Sequence, residues 1–204
     1  ASFQKTTGLV YKEFDRKFHL YQELPVGNFE KIAGVDPGYR NPAAVLHIFT
    51  NGKNYYVEDE WYKTERTDTQ IAEYVASCKF QAVYPDPESP GFVEELKRQR
   101  VNVREVAKGK GSVKAGIQQI RELLLSNRLK VNKRCINTIS EFEMYSYDED
   151  VGDRDEKEDP IKSNDHALDA LRYMIMTYKP MGEIDYQQKR RAELTRQKLT
   201  QSTR

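Results

Sequence analysis

Asp165, His166 and Asp169 are the residues whose types and spacing could do the most chemistry. They lie in Asn164-Asp165-His166-Ala167-Leu168-Asp169-Ala170-Leu171-Arg172-Tyr173. Leu168, Leu171, Ile175 and Tyr178 recur at three- and four-residue steps, which predicts a helix with one stripe facing a core. Asn164 is expected at the N-cap, because its side-chain oxygen can accept a bond from an orphan N–H. Asp165 then falls in the first turn, where the helix dipole favours a carboxylate. Spacings of three and four put Asp165, His166 and Asp169 on one side of that helix. Two carboxylates and an imidazole so arranged can bind a divalent cation if further acids meet them. The plain alternative is a capped surface helix whose polar residues face water.

Two further acids stand where strands end. Lys31 to Val35 is a short apolar strand that runs into Asp36 and stops at Pro37-Gly38. Phe80 to Tyr84 is another, running into Pro85-Asp86-Pro87. Between them, Ala44 to Phe49 and Asn54 to Trp61 flank Asn51-Gly52, the strongest short hairpin signal. The strands ending at Asp36, Phe49 and Trp61 therefore form an antiparallel meander. A helix over 68–78 follows, capped by Thr67 or Asp68, with Ile71 and Val75 inward. After Asp86, Ser89 and Pro90 open a helix to about Gln99, since proline suits the first helical position. Val101 to Val106 is expected as a strand. Alternation of strand and helix at this spacing implies parallel pairing with right-handed crossovers.

Lys108-Gly109-Lys110-Gly111-Ser112-Val113-Lys114 precedes an amphipathic helix with Val113, Ile117, Ile120 and Leu124 on one face and Ser112 as its cap. Free N–H groups, a positive dipole end and lysines make such a loop a phosphate site; a solvated loop with a normal cap fits equally well. Leu129 to Val131 reads as a strand, and 133–144 as a helix with Ile136, Ile139 and Phe142 inward. Eight acids crowd 148–159, but not at the spacing of an EF-hand; a solvated acidic loop is the default for such a run. Residues 1–29 are expected as a linker or extension, with His19 on the surface. Residues 30–180 form the domain, and the polar 181–204 a mobile tail.

A chain of 204 residues can build one domain with a real core. The formal net charge is only +1, so a nucleic-acid site has to be a local basic patch rather than a global field. Cys78 and Cys135 lack metal-type spacing and read as reduced, buried thiols of a cytosolic protein. No apolar run approaches a membrane span, and no signal-peptide core is present. No P-loop for ATP occurs.

If the strands ending at Asp36 and Asp86 are neighbours, the late helix can bring Asp169 to both. Clustered carboxylates repel unless a cation neutralises them, which points to Mg²⁺ or Mn²⁺. The order of these features resembles the ribonuclease H-like nuclease domain of tailed-phage large terminase subunits. The resemblance is carried by Gly34-Val35-Asp36-Pro37-Gly38, by Tyr84 to Pro90, by Lys110 to Ile117 and by Asp165 to Tyr173, and covers residues from about 30 to 178. It implies an α/β fold with a mixed sheet, an antiparallel meander continued by parallel strands, with helices on both faces. It implies a metal-dependent endonuclease that cuts concatemeric viral DNA during packaging in the host cytoplasm. Its partners would be double-stranded DNA, a separate ATPase domain, the small terminase subunit and the portal protein. Asp36, Asp86 and Asp169, with Asp165 as a further candidate, would hold two ions. Asp36 would bridge them, Asp86 would hold one and Asp169 the other. His166 would orient or deprotonate the attacking water, or ligate an ion. Arg104, Lys108, Lys110 and Lys114 would hold the DNA backbone without reading sequence. Trp61 is expected in a structural role.

Other readings stay open at this stage. A junction resolvase or transposase-type nuclease would share the acids. A DNA- or portal-docking module would use the basic loop without catalysis. An actin-like nucleotide-binding fold needs two domains and further glycine-rich loops, more than this chain holds.

Overall fold

A hairpin, a pair of parallel neighbours and one helix laid across them account for most of the architecture. The computed structural model describes residues 8–106, 109, 111–147 and 160–180. In chain order the elements are α1 (Arg16–His19), β1 (Leu20–Tyr21), β2 (Glu30–Asp36), β3 (Ala43–Thr50) and β4 (Tyr55–Lys63). Then come α2 (Asp68–Ser77), β5 (Ala82–Pro85), α3 (Pro90–Arg98), α4 (Ser112–Leu125), β6 (Leu129–Asn132), α5 (Ile136–Met144) and α6 (His166–Thr177). The strands form one mixed sheet in the order β1-β6-β4-β3-β2-β5. β2, β3 and β4 are the antiparallel meander, and β5 joins β2 in parallel. The Asn51 side chain fixes the β3–β4 turn by accepting from the N–H groups of Lys53 and Asn54 at 3.1 and 2.8 Å.

Alternation along the strands divides the core in two. Ile32, Leu46, Ile48, Val57 and Tyr84 face α4, α5 and α6. Ala33, Val35, Val45 and Val83 face α2 and α3 on the other side. The expected fold, with helices on both faces, is therefore the observed one. α6 lies very close to β2, and Gly34 is what permits it. A Cβ at Gly34 would sit 2.0 Å from the Ala170 carbonyl oxygen. No helix among the described residues is long and apolar enough to cross a membrane.

Several local expectations change. Val101 to Val106 is not a strand but a single parallel bridge, Val83 to Val103. Ser112 is the first residue of α4 rather than its cap; Gly111, at φ 84°, takes the cap position in a backbone conformation that suits glycine. Ile136 is 68% exposed, because α5 begins there, past the edge of the core. Ser89 occupies the cap position of α3 but makes no side-chain bond, while Pro90 starts the helix as expected. Thr67 and Gln70 complete a reciprocal capping box on α2.

Part of the described chain before residue 30 packs on the sheet. Val10 and Tyr11 are buried, and β1 pairs with β6. His19 is buried rather than on the surface. Its Nδ1 accepts from the Asp15 N–H at 2.8 Å, and its Nε2 donates to the Leu124 carbonyl at 3.0 Å. Cys135 is buried, Cys78 only half-buried, and both are free. Trp61 stacks on Tyr74 at 4.8 Å between ring centroids, a packing role. The acidic run at 148–159 and the tail at 181–204 lie outside the described residues.

Candidate active site

The β2–β5 ladder brings the two strand-borne acids together. Gly34 pairs with Tyr84 and Val35 with Pro85, so Asp36 and Asp86 are next in register. The Asp86 N–H continues the ladder by donating to the Val35 carbonyl at 2.9 Å. Adjacent strands run about 4.8 Å apart, and pleat alternation puts both acids on the face that α6 covers. α6 adds His166 at its first position and Asp169 one turn on. Asp36, Asp86, Asp165, His166 and Asp169 line one open cleft of about 790 Å³. The expected acid set is thus brought to one place.

Asp36, Asp86 and Asp169 also have partners of their own. His166 Nδ1 is 2.9 Å from Asp36 Oδ2. Asp169 Oδ1 accepts from Arg172 Nη2 at 2.7 Å, and the Tyr173 hydroxyl approaches Oδ2 at 3.4 Å. Asp86 Oδ1 accepts from the Glu88 N–H at 3.0 Å, which tightens the turn around Pro87. Among the described residues, no group of three or more His, Cys, Asp or Glu side chains is arranged to hold a metal ion.

Electrostatics mark Asp36 as the stressed member. Burial pushes its carboxyl up to about 6, and the nearby Asp169 and Asp86 add to the rise against the bond from His166. The same bond, its largest influence, raises the His166 imidazole above its ordinary value despite burial. Asp165 is raised by burial first and by Asp169 next. A carboxylate beside two others and mostly out of water is short of positive charge. Three hard-oxygen side chains and an imidazole are also the donor types that suit Mg²⁺ or Mn²⁺.

Helix α6 does not start as expected. Asn164 is not its cap; it stands in the left-handed region at φ 52°, which asparagine tolerates. Asp165 takes the cap position without a side-chain capping bond. The missing bond comes from Glu141 of α5, whose Oε2 accepts from the Leu168 N–H at 3.0 Å. Its Oε1 accepts from the Tyr62 hydroxyl at 2.7 Å. Glu141 is 2% exposed, and burial pushes its carboxyl up to about 7. Nothing in the sequence near Glu141 announces this role.

The expected DNA-contacting set fares differently. Lys108 and Lys110 lie outside the described residues. Arg104 and Lys114 are exposed but do not line the cleft. Two exposed cations that sequence reasoning missed do line it, Arg40 after β2 and Lys162 before α6. Tyr39, 59% exposed, stands on the same rim. The proximity of Arg40 to the strand-ending Asp36 was the available signal.

The family model described as the terminase RNAseH-like domain matches residues 38–177. The chain belongs to that family. The large terminase subunit of Escherichia phage T5 is 31% identical over 155 residues, covering 72% of this chain and 35% of that protein. The nuclease domain of the P22 large terminase superposes with a TM-score of 0.70 at 23% identity, over 87% of this chain and 97% of that one. The nuclease domain of the bacteriophage SPP1 large terminase, solved with bound Mn, superposes with a TM-score of 0.61 at 22% identity, over 76% of this chain and 92% of that one. This terminase RNase H-like chain spans about a third of the length of the full-length relatives it matches.

Proposed function

We propose that the chain is a metal-dependent endonuclease of viral DNA packaging, cutting concatemeric double-stranded DNA in the host cell. The observation that carries this reading is the convergence of Asp36, Asp86, His166 and Asp169 on one open cleft at the ends of β2 and β5. Family membership over residues 38–177 supports it, as does the Mn bound by the SPP1 nuclease domain. Asp36, Asp86 and Asp169 would hold two divalent ions, Mg²⁺ or Mn²⁺, with Asp165 as a further ligand. Bound there, such ions supply an activated water and stabilise the departing oxygen of a phosphodiester.

The chain's own residues do the rest. His166, hydrogen-bonded to Asp36, would orient the attacking water and accept its proton. Arg172, buried against Asp169, keeps that carboxylate aimed. Arg40 and Lys162 hold the phosphate backbone on the cleft rim, with Arg104, Lys108, Lys110 and Lys114 extending that track. These contacts are sequence-neutral. The packaging ATPase domain, the small terminase subunit and the portal protein are the partners through which cutting is timed.

Purified protein incubated with supercoiled plasmid and Mn²⁺, Mg²⁺ or EDTA tests the reading. Cleavage is expected only with metal, and Asp36→Asn is expected to lower it at least about a hundredfold. Cleavage that survives EDTA or the substitution would refute the assigned site. No cleavage with any metal at low salt would leave a DNA- or portal-docking module in its place.

A further inference from the structure

Helix α6 carries His166 at its first position and Asp169 in its first turn, yet it does not cap itself. The first four N–H groups of any helix lack partners within it. Here the Leu168 N–H is taken by Glu141, a residue of another helix and 27 positions earlier in the chain. Glu141 is in turn held by the Tyr62 hydroxyl from β4. The Tyr62 ring also stands 6.4 Å from the His166 ring, centroid to centroid. Strand, helix and helix are thus joined by one carboxyl group beside the acids.

The choice of residue is informative. Glu141 is 2% exposed, and its hydrogen bonds come from backbone N–H and a phenol, not from a cation. Burying a carboxyl without a cation is costly, and an apolar residue of similar volume would fill the space at less expense. What an apolar residue could not do is fix the start of α6. Resting on the nuclease reading, we propose that Glu141 is a positioning residue, which with Tyr62 sets the first turn of α6 so that His166 and Asp169 meet the strand-borne acids. It touches neither substrate nor ion; it acts through the backbone at Leu168.

Three variants, Glu141→Ala, Glu141→Gln and Tyr62→Phe, separate this role from ordinary support of the fold. Mn²⁺ binding by calorimetry, plasmid cleavage, and hydrogen exchange of the metal-free amides at 166–169 are measured well below each variant's melting temperature. In Glu141→Ala, Mn²⁺ affinity and kcat are expected to fall about 10- to 100-fold, the effect usual for groups that orient metal ligands. KM for DNA stays unchanged, and the Leu168 amide exchanges faster. Glu141→Gln keeps an acceptor oxygen and is expected to restore both affinity and kcat. Tyr62→Phe removes the phenol's bond alone and falls between. A folded Glu141→Ala that melts lower but binds Mn²⁺ and cuts like the parent would overturn the proposal. If Glu141→Ala does not fold, parent-like Mn²⁺ affinity and Leu168 exchange in Tyr62→Phe would overturn it equally. A parent that neither binds Mn²⁺ nor cuts would instead overturn the nuclease reading, and this inference with it.

Discussion

Glu141 gives the molecule a titration of unusual sign for a carboxylate. Burial raises it from 4.5 to about 7, in spite of the bonds from Tyr62 and Leu168. Below pH 4.5 it is protonated in both folded and unfolded chains, and costs nothing. Between 4.5 and about 7 the folded protein keeps a proton that the unfolded chain has lost, so stability falls as pH rises through that window. The full effect is on the order of 3 kcal/mol. Urea midpoints measured across this range are expected to fall for the parent relative to Glu141→Gln, whose amide does not titrate. A constant difference between the two would show that Glu141 is ionised in the folded protein throughout. Asp36, also raised by burial and by its acidic neighbours, is present in both proteins and cancels from the comparison.

At the scale of elements, the contact of α6 with β2 is the tightest tolerance in the fold. Gly34→Ala would drive a Cβ to 2.0 Å from the Ala170 carbonyl, and backbone on both sides leaves nothing flexible to yield. Overpacking of this kind costs about 1–3 kcal/mol. The variant is expected to lose that much in urea unfolding and to lose metal-dependent cleavage more than proportionally, since α6 must lift with His166 and Asp169 aboard. Elements such as these were legible where their signals are local. The Asn51-Gly52 turn, the helix start at Thr67 or Asp68 and the acids at strand ends are written in neighbouring residues, and the structure follows them. The start of α6 was not legible. Asn164 is a good cap by type, but its left-handed backbone excludes it, and the actual acceptor, Glu141, comes from a remote helix. Val101 to Val106 has strand composition, yet beside the short β5 only one bridge forms. The pairing of β6 between β1 and β4 is likewise a matter of distant partners, which no local pattern encodes.

For the molecule as a whole, two consequences concern its edges and its charge. The segment before β2 supplies Val10, Tyr11 and β1 to the main core and sheet. A chain begun at residue 30 is expected to lose on the order of 3 kcal/mol or more, the scale of deleting one buried aromatic ring, as read by chemical denaturation. Equal stability of the truncated chain would make the segment a mere linker after all. With a net charge of +1, the DNA affinity that the proposed function requires would rest on few local cations. Removing Arg40 and Lys162 together is expected to reduce the slope of log affinity against log salt by about 0.9 for each phosphate that the pair neutralises. Fluorescence anisotropy with a labelled duplex over a salt series measures it; an unchanged slope would take both residues off the DNA path.

The parallel ladder between β2 and β5 also bears on how such a chain can drift over generations. The distance from Asp36 to Asp86 is held by backbone hydrogen bonds between neighbouring strands, not by the length of chain that joins them. The β3–β4 turn and the loops on either side of α2 can therefore gain or lose residues without moving either carboxylate. A single residue gained or lost within β5 cannot be absorbed in this way, because it would turn Asp86 to the opposite face of the sheet.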